Sequence, residues 1–225
     1  MLISEIFHSI QGEGRYVGVP SVFVRTSGCN LRCWFCDTPY TSWQQEGEQR
    51  TIESLIDEVV RYNCEHVVIT GGEPMLVREL VPLTQQLAAL GHHLTIETAG
   101  TVDLNVEADL MSISPKLANS TPQGSEWTAR HDERRYQPDV IHRLIADYDY
   151  QLKFVIDTPD DVTDVEHWLE GFPAVTADRV YLMAQATDRE PLREKSVWLA
   201  DIVKTRGWRL SPRLHVELWG NTRGV

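Results

Sequence analysis

The chain has 225 residues, 42% hydrophobic and 24% charged, with 33 acidic against 21 basic side chains and a formal net charge of −12. That length suits one well-buried domain, and a field of that sign repels phosphate backbones, which sets nucleic acid aside as a direct ligand. No apolar run approaches the roughly 20 residues of a bilayer span, and MLISEIFHSIQGEG carries neither a basic segment nor a long apolar stretch, so no membrane partner and a reducing, cytoplasmic location are expected.

The first predicted element is the strand SVFVRTS at 21 to 27, which runs into the loop SGCNLRCWFCDTPYTSW. Next comes a helix in TIESLIDEVVRYN, with Ile52, Leu55, Ile56, Val59 and Val60 at helical spacing and Thr51 as N-cap. HVVIT at 66 to 70 reads as a strand that breaks at Gly71-Gly72, followed by a helix carrying Leu76, Leu80, Leu83, Leu87 and Leu90 and stopped by Gly91. Strands follow at LTIET (94 to 98) and DLMSIS (109 to 114), then a polar stretch from Leu117 to Pro138 that reads as a long loop or short-helix insertion over the site. YQLKFVID (150 to 157), a helix from Asp160 to Glu170, RVYLMA (179 to 184), a helix near 191 to 206 and a last strand RLHVELW (213 to 219) complete the pattern.

About six strands alternating with helices predict parallel β/α units, as an open doubly wound sheet or a full or partial barrel. In either architecture ligands sit at the carboxyl ends of strands. The cysteine loop, TGGEP, TAGT and SPK all follow strands, so four strand ends are expected to converge on one site.

Cys29, Cys33 and Cys36, three of the four cysteines, have the spacing C-x3-C-x2-C. Packing does not call for thiols concentrated on one loop, and mutual disulfides do not suit so tight a run. An iron-sulfur cluster with one open iron uses three such ligands, whereas structural zinc requires a fourth, for which Cys64 or His66 would have to be recruited. Cys64 otherwise reads as a small buried hydrophobe at a helix end.

GCNLRCWFC and TGGEP resemble, in the right order, the cluster motif and the glycine-rich segment of the radical S-adenosylmethionine (radical SAM) superfamily. SIQGEG, GVPSVFVRTSGCN, WFCDTPYTSW, VVITGGEP, IETAGT and SISPK together resemble the 7-carboxy-7-deazaguanine synthase family over nearly the whole chain. The resemblance implies one radical SAM domain over 1–225, an α/β fold built as a partial (β/α)6 barrel of the radical SAM type with short insertions. It also implies a 4Fe-4S cluster on Cys29, Cys33 and Cys36, and S-adenosylmethionine, used catalytically, as the source of a 5'-deoxyadenosyl radical. The implied reaction converts 6-carboxy-5,6,7,8-tetrahydropterin to 7-carboxy-7-deazaguanine with release of ammonia, on the way to queuosine and related deazapurines.

By the same resemblance Ile10, Gln11, Gly12, Glu13, Arg25 and Thr70 contact substrate, with Arg25 on its carboxylate. Phe35, Cys36, Asp37, Gly72, Glu97, Ser114, Pro115 and Lys116 contact S-adenosylmethionine, and the Thr38 hydroxyl is a Mg2+ ligand. Gln185 and Thr187 in MAQATD occupy a place of further ligand contacts, and the C-terminal SPRLHVELWGNTRGV closes near the site, with His215 either a site residue or a hydrogen-bonded core histidine. A homodimer and a low-potential electron donor, flavodoxin or ferredoxin, are the expected partners. Two other readings stay open at this point: a glycyl-radical-enzyme activating protein, which shares the cysteine spacing, and a non-catalytic metal-binding module with structural zinc.

Overall fold

The computed structural model describes residues 1–225. Strand β1 (Leu2–Ile10) pairs antiparallel with β2 (Pro20–Thr26), with Phe7 opposite Phe23 and their rings stacked at 5.0 Å. The cysteine loop then leads to a single helical turn α1 (Pro39–Ser42) and a short edge strand β3 (Glu48–Gln49). From there the chain alternates: α2 (Ile52–Arg61), β4 (His66–Gly71), α3 (Leu80–Ala89), β5 (His93–Thr98) and β6 (Leu110–Ile113). It continues with α4 (Thr128–Arg135), α5 (Pro138–Asp147), β7 (Tyr150–Ile156), α6 (Asp160–Glu170), β8 (Val180–Ala184), α7 (Arg189–Arg206), β9 (Arg209–Ser211) and α8 (Leu214–Trp219).

All nine strands form one sheet in the order β3-β1-β2-β4-β5-β6-β7-β8-β9. Every pairing from β2 to β9 is parallel, and the sheet stays open between β3 and β9, the expected partial barrel extended by an antiparallel hairpin at one edge. The link from β5 to β6 carries no helix, so the β/α alternation lapses once.

The strands are pleated, so alternate side chains face opposite ways. One set, including Val24, Ile69, Ile96, Phe154 and Leu182, joins Leu55 of α2, Leu83 of α3 and Trp168 of α6 in a single apolar core. Burying a side chain of this kind contributes about 1.5–3 kcal/mol, and dozens do so here. The Thr51 side chain caps α2 as predicted, accepting from Ser54 N at 3.2 Å, and α7 ends on Gly207 in the left-handed conformation (φ 67°).

Two expectations are corrected, and two elements form where none was expected. RLHVELW is not a strand: Pro212 has no N–H to continue a ladder, Leu214 N donates to Gly12 O (2.9 Å), and the chain coils into α8. Its period-2 apolar pattern is spurious, since Val216 is buried while Leu218 is exposed; the last strand is β9. The helix expected from Leu76 begins only at Leu80, leaving Leu76 and Leu90 exposed at its flanks. β1 is the first unexpected element: an irregularity between Ile3 and Glu5 shifts its alternation. Finally, α5 begins at Pro138, where the expected loop ends; Pro at its first turn and Val140, Ile141, Leu144 and Ile145 behind it were readable signals.

Candidate active site

The other face of the same strands is polar. Arg25 on β2, Thr70 on β4, Glu97 on β5, Ser112 on β6 and Lys153 on β7 all face one cavity of about 460 Å³ at the carboxyl ends of the parallel strands. The SIQGEG turn closes one side, the cysteine loop another, and the C-terminal residues 221 to 225 lie across the mouth. Arg223 packs over the Tyr40 ring at 3.9 Å and pairs with Glu46 (3.0 Å) and Glu5 (3.4 Å). Glu5 also accepts from Arg25 Nε (2.7 Å) and Tyr40 OH (3.0 Å), which fixes the Arg25 guanidinium at the cavity wall.

Cys29, Cys33 and Cys36 are free, partly buried thiols lining this cavity. Burial pushes Cys29 up to about 12 and Cys33 up to about 11, against the Leu31 N–H on the one and the Lys116 charge near the other, so neither is a thiolate on its own at neutral pH. A bound iron cluster supplies the positive charge that makes thiolates the favoured state. Leu31 N donates to Cys29 Sγ (3.4 Å), a contact suited to a ligating sulfur. The donor set therefore fits the cluster. It does not fit zinc held by Cys64 or His66: His66 opens β4 and Gly72 follows its end, about 20 Å further on at ~3.3 Å per residue. Cys64 lies at that far end, donates to Pro20 O (3.3 Å) and packs against the core.

TGGEP is built for close approach. Gly72 N donates to Thr26 O (3.1 Å), and a Cβ on Gly72 would stand 2.1 Å from Gly28 O, so only glycine lets β4 and the cysteine loop touch. Glu73, fully buried, accepts from Thr98 Oγ1 (2.8 Å), Ala99 N (2.8 Å) and Met75 N (3.1 Å), tying the motif to the end of β5. Burial raises its pKa despite these donors.

Opposite the cysteines lies a buried ionic network. Lys153 donates to Glu13 and stands 3.8 Å from Glu97, while Arg213 reaches Glu13 (3.1 Å), Asp37 and the Ala186 carbonyl. Burial opposes the charge on Glu13, yet Lys153 and Arg213 outweigh it and hold the carboxyl far below the usual carboxylate range. Burial lowers Lys153 and Arg213 as well; their carboxylate partners reverse this, and both end raised. His215 lies 4.0 Å from Glu13, and burial keeps its pKa below the ordinary value, so the ring is neutral near pH 7.

The cavity brings together Ile10, Gln11, Gly12, Glu13, Arg25, Phe35, Asp37, Thr38, Thr70, Gly72, Glu97, Ser114 and Lys116 with the three cysteines. Pro115 is the exception, buried behind Ser114 and off the wall. Gln185 lines the cavity, whereas Thr187 turns toward a small separate cleft beside Lys195. Of the two readings of His215 the structure gives the wall residue, and Gly12 beneath it must be glycine, since a Cβ there would stand 2.1 Å from Nδ1. Gln11 is engaged within the wall, donating to Glu97 (3.3 Å) and accepting from Glu13 N (3.1 Å), while the other Glu97 oxygen accepts from Thr70 (2.8 Å). Lys153, Arg213 and Tyr40 were missed, whereas the tail closes near the site as the resemblance implied. For Lys153 a signal existed: in YQLKFVID, strict alternation turns Gln151, Lys153 and Val155 to the face opposite Leu152 and Phe154.

Residues 23–116 match the family model of the radical SAM superfamily. A 7-carboxy-7-deazaguanine synthase of Halobacterium salinarum is 45% identical, with 97% of this chain and 90% of the relative covered. One from Rhodopirellula baltica is also 45% identical, covering 100% of this chain and 89% of the relative. The crystal structure of QueE from Escherichia coli superposes with a TM-score of 0.70 at 25% identity, covering 95% of this chain and 94% of that one. Archaeal TYW1 shares the fold alone, with a TM-score of 0.51 at 13% identity.

Proposed function

Since the chain belongs to the 7-carboxy-7-deazaguanine synthase family within the radical SAM superfamily, we propose that it makes 7-carboxy-7-deazaguanine from 6-carboxy-5,6,7,8-tetrahydropterin with release of ammonia. The observation that carries this reading is the pairing, in one cavity, of three free cysteines with a fixed guanidinium and a carboxylate kept ionised. When bound, a 4Fe-4S cluster and S-adenosylmethionine supply a 5'-deoxyadenosyl radical able to take hydrogen from carbon.

The protein's own task is to hold, orient and exclude. Arg25, steadied by Glu5, takes the substrate carboxylate. Glu13 accepts from the N–H edge of the pterin, and it can do so because Lys153 and Arg213 keep it charged although it is largely shielded from water. Thr70, oriented by Glu97, adds a hydroxyl to the same wall. Phe35, Cys36 and Asp37 flank the adenine, with Asp37 held by Arg213, while Gly72 admits the methionine group. Lys116, donating to Ser114 Oγ (2.7 Å), places a cation at the end of β6, and Glu97 is near enough for a ribose hydroxyl.

Thr38, half-buried on the wall, is the residue that would offer Mg2+ a hard oxygen, and the ion would help to hold the substrate carboxylate. We further propose one domain over 1–225, a homodimer, a flavodoxin or ferredoxin as electron donor and a cytoplasmic setting. No helix is long and apolar enough to cross a membrane.

The test is anaerobic turnover with S-adenosylmethionine, reductant, Mg2+ and the pterin, quantifying deazaguanine and 5'-deoxyadenosine together. Many turnovers without matching 5'-deoxyadenosine are expected. 5'-Deoxyadenosine without deazaguanine would overturn the substrate assignment and bring the activase reading forward.

A further inference from the structure

Behind the cysteine loop, on the side away from the cavity, lies a buried cation that no carboxylate balances. Arg32 is only 8% exposed and takes part in none of the ion pairs of the fold. Its guanidinium donates to the carbonyls of Cys29 (2.8 Å) and Leu31 (2.7 Å) and lies over the Trp127 ring at 4.2 Å. Its backbone N–H donates to His131 Nδ1 (3.1 Å), so the other ring nitrogen carries the proton and donates to Ser120 Oγ (2.8 Å). The loop is thus braced from behind by neutral groups, with one unpaired charge embedded among them.

A buried charge without a counterion is costly, and cation–π contact with carbonyl acceptors offsets only part of that cost. The missing negative charge is that of the liganded cluster, because three thiolates outweigh the positive charge of an oxidised 4Fe-4S core. We propose that Arg32 is a positioning and potential-setting residue: through the Cys29 backbone it fixes the loop, and its desolvated charge favours the reduced cluster. The inference rests on the cluster reading above but not on the identity of the substrate. In the step concerned one electron passes from a low-potential one-electron donor to the cluster; no bond breaks, and Arg32 stays charged before and after.

The experiment is an EPR-monitored redox titration of the anaerobically reconstituted full chain, with dithionite as reductant and with neither S-adenosylmethionine nor pterin. A desolvated unit charge beside the loop biases a one-electron equilibrium about tenfold. Arg32→Met is therefore expected to lower the reduced-to-oxidised ratio at the parental midpoint about tenfold, a shift of about 59 mV toward lower potential. Arg32→Lys, which keeps the charge but not the planar fork, retains most of the parental potential. Should Arg32→Met bind no iron, Trp127→Leu decides: it leaves Arg32 in place but opens it to water, and the midpoint falls by part of that amount.

A parental midpoint in an iron-replete Arg32→Met, or in Trp127→Leu when that variant decides, overturns the proposal. So does a parental chain that binds no iron, which would also remove the cluster reading. Failure to convert the pterin would leave the titration result standing.

Discussion

Lys153 and Phe154 are neighbours in β7 and do opposite work. Phe154 faces outward, fully buried, with its ring 5.2 Å from that of Trp168 in the helical layer. Lys153 faces inward, also buried, and holds Glu13 within reach of Glu97. The same division runs along the sheet: Val24 against Arg25, Ile69 against Thr70, Ile96 against Glu97. One turn of the pleat separates the residues that hold the barrel together from those that furnish its site. A barrel left partly open has an inner face that need not be filled with apolar side chains, so charges can be buried there provided that they compensate one another.

Adjacent substitutions would break that division most visibly. Lys153→Met leaves the largely enclosed Glu13 and the half-buried Glu97 under-compensated, at a cost of about 3 kcal/mol in stability, and weakens substrate binding, with KM rising at least about tenfold. Adding Glu13→Gln removes the stranded charge, so the double variant recovers most of the stability, measured by denaturant unfolding, but none of the turnover. Recovery of both would mean that the network is structural only. Phe154→Ala is expected to cost about 3–5 kcal/mol through the cavity it leaves, while the fraction that remains folded keeps its KM.

That two-face rule also explains what the sequence made legible. The outer face is written in β-branched and aliphatic residues, so the parallel strands from β2 to β8, α2 and α6 were readable with boundaries close to those observed. The site was readable where chemistry demands a local signature, as in the three cysteines, TGGEP and SIQGEG. Lys153 and Arg213 have no such signature, because their partner Glu13 lies 140 and 200 residues away. Alternation within YQLKFVID pointed Lys153 inward, but nothing local to Arg213 competes with the apparent Leu-Val-Leu alternation that follows it. Only the turn at Pro212 and the contact of Leu214 with Gly12 make that segment a helix and Arg213 a wall residue.

A smaller effect sharpens the contrast between charged and neutral burial. Glu13 titrates far below neutrality, so it stays ionised against Lys153 and Arg213 through mild acid. His131, fully buried behind the cysteine loop, is held neutral: burial lowers its pKa from 6.5 to about 4. Between those values the unfolded chain binds the proton that the folded chain refuses, so stability falls as pH drops from about 6.5 toward 4. His131→Asn, whose side-chain oxygen can still accept from Arg32 N, removes that part of the slope while lowering stability somewhat at pH 7. Denaturant unfolding of parent and variant at pH 7, 6 and 5 measures the difference. Curves that converge as pH falls are expected, since the parent alone loses what its neutral histidine contributes. Parallel curves would show that His131 takes up its proton equally well in the folded chain, and that the back of the loop tolerates the charge its packing forbids.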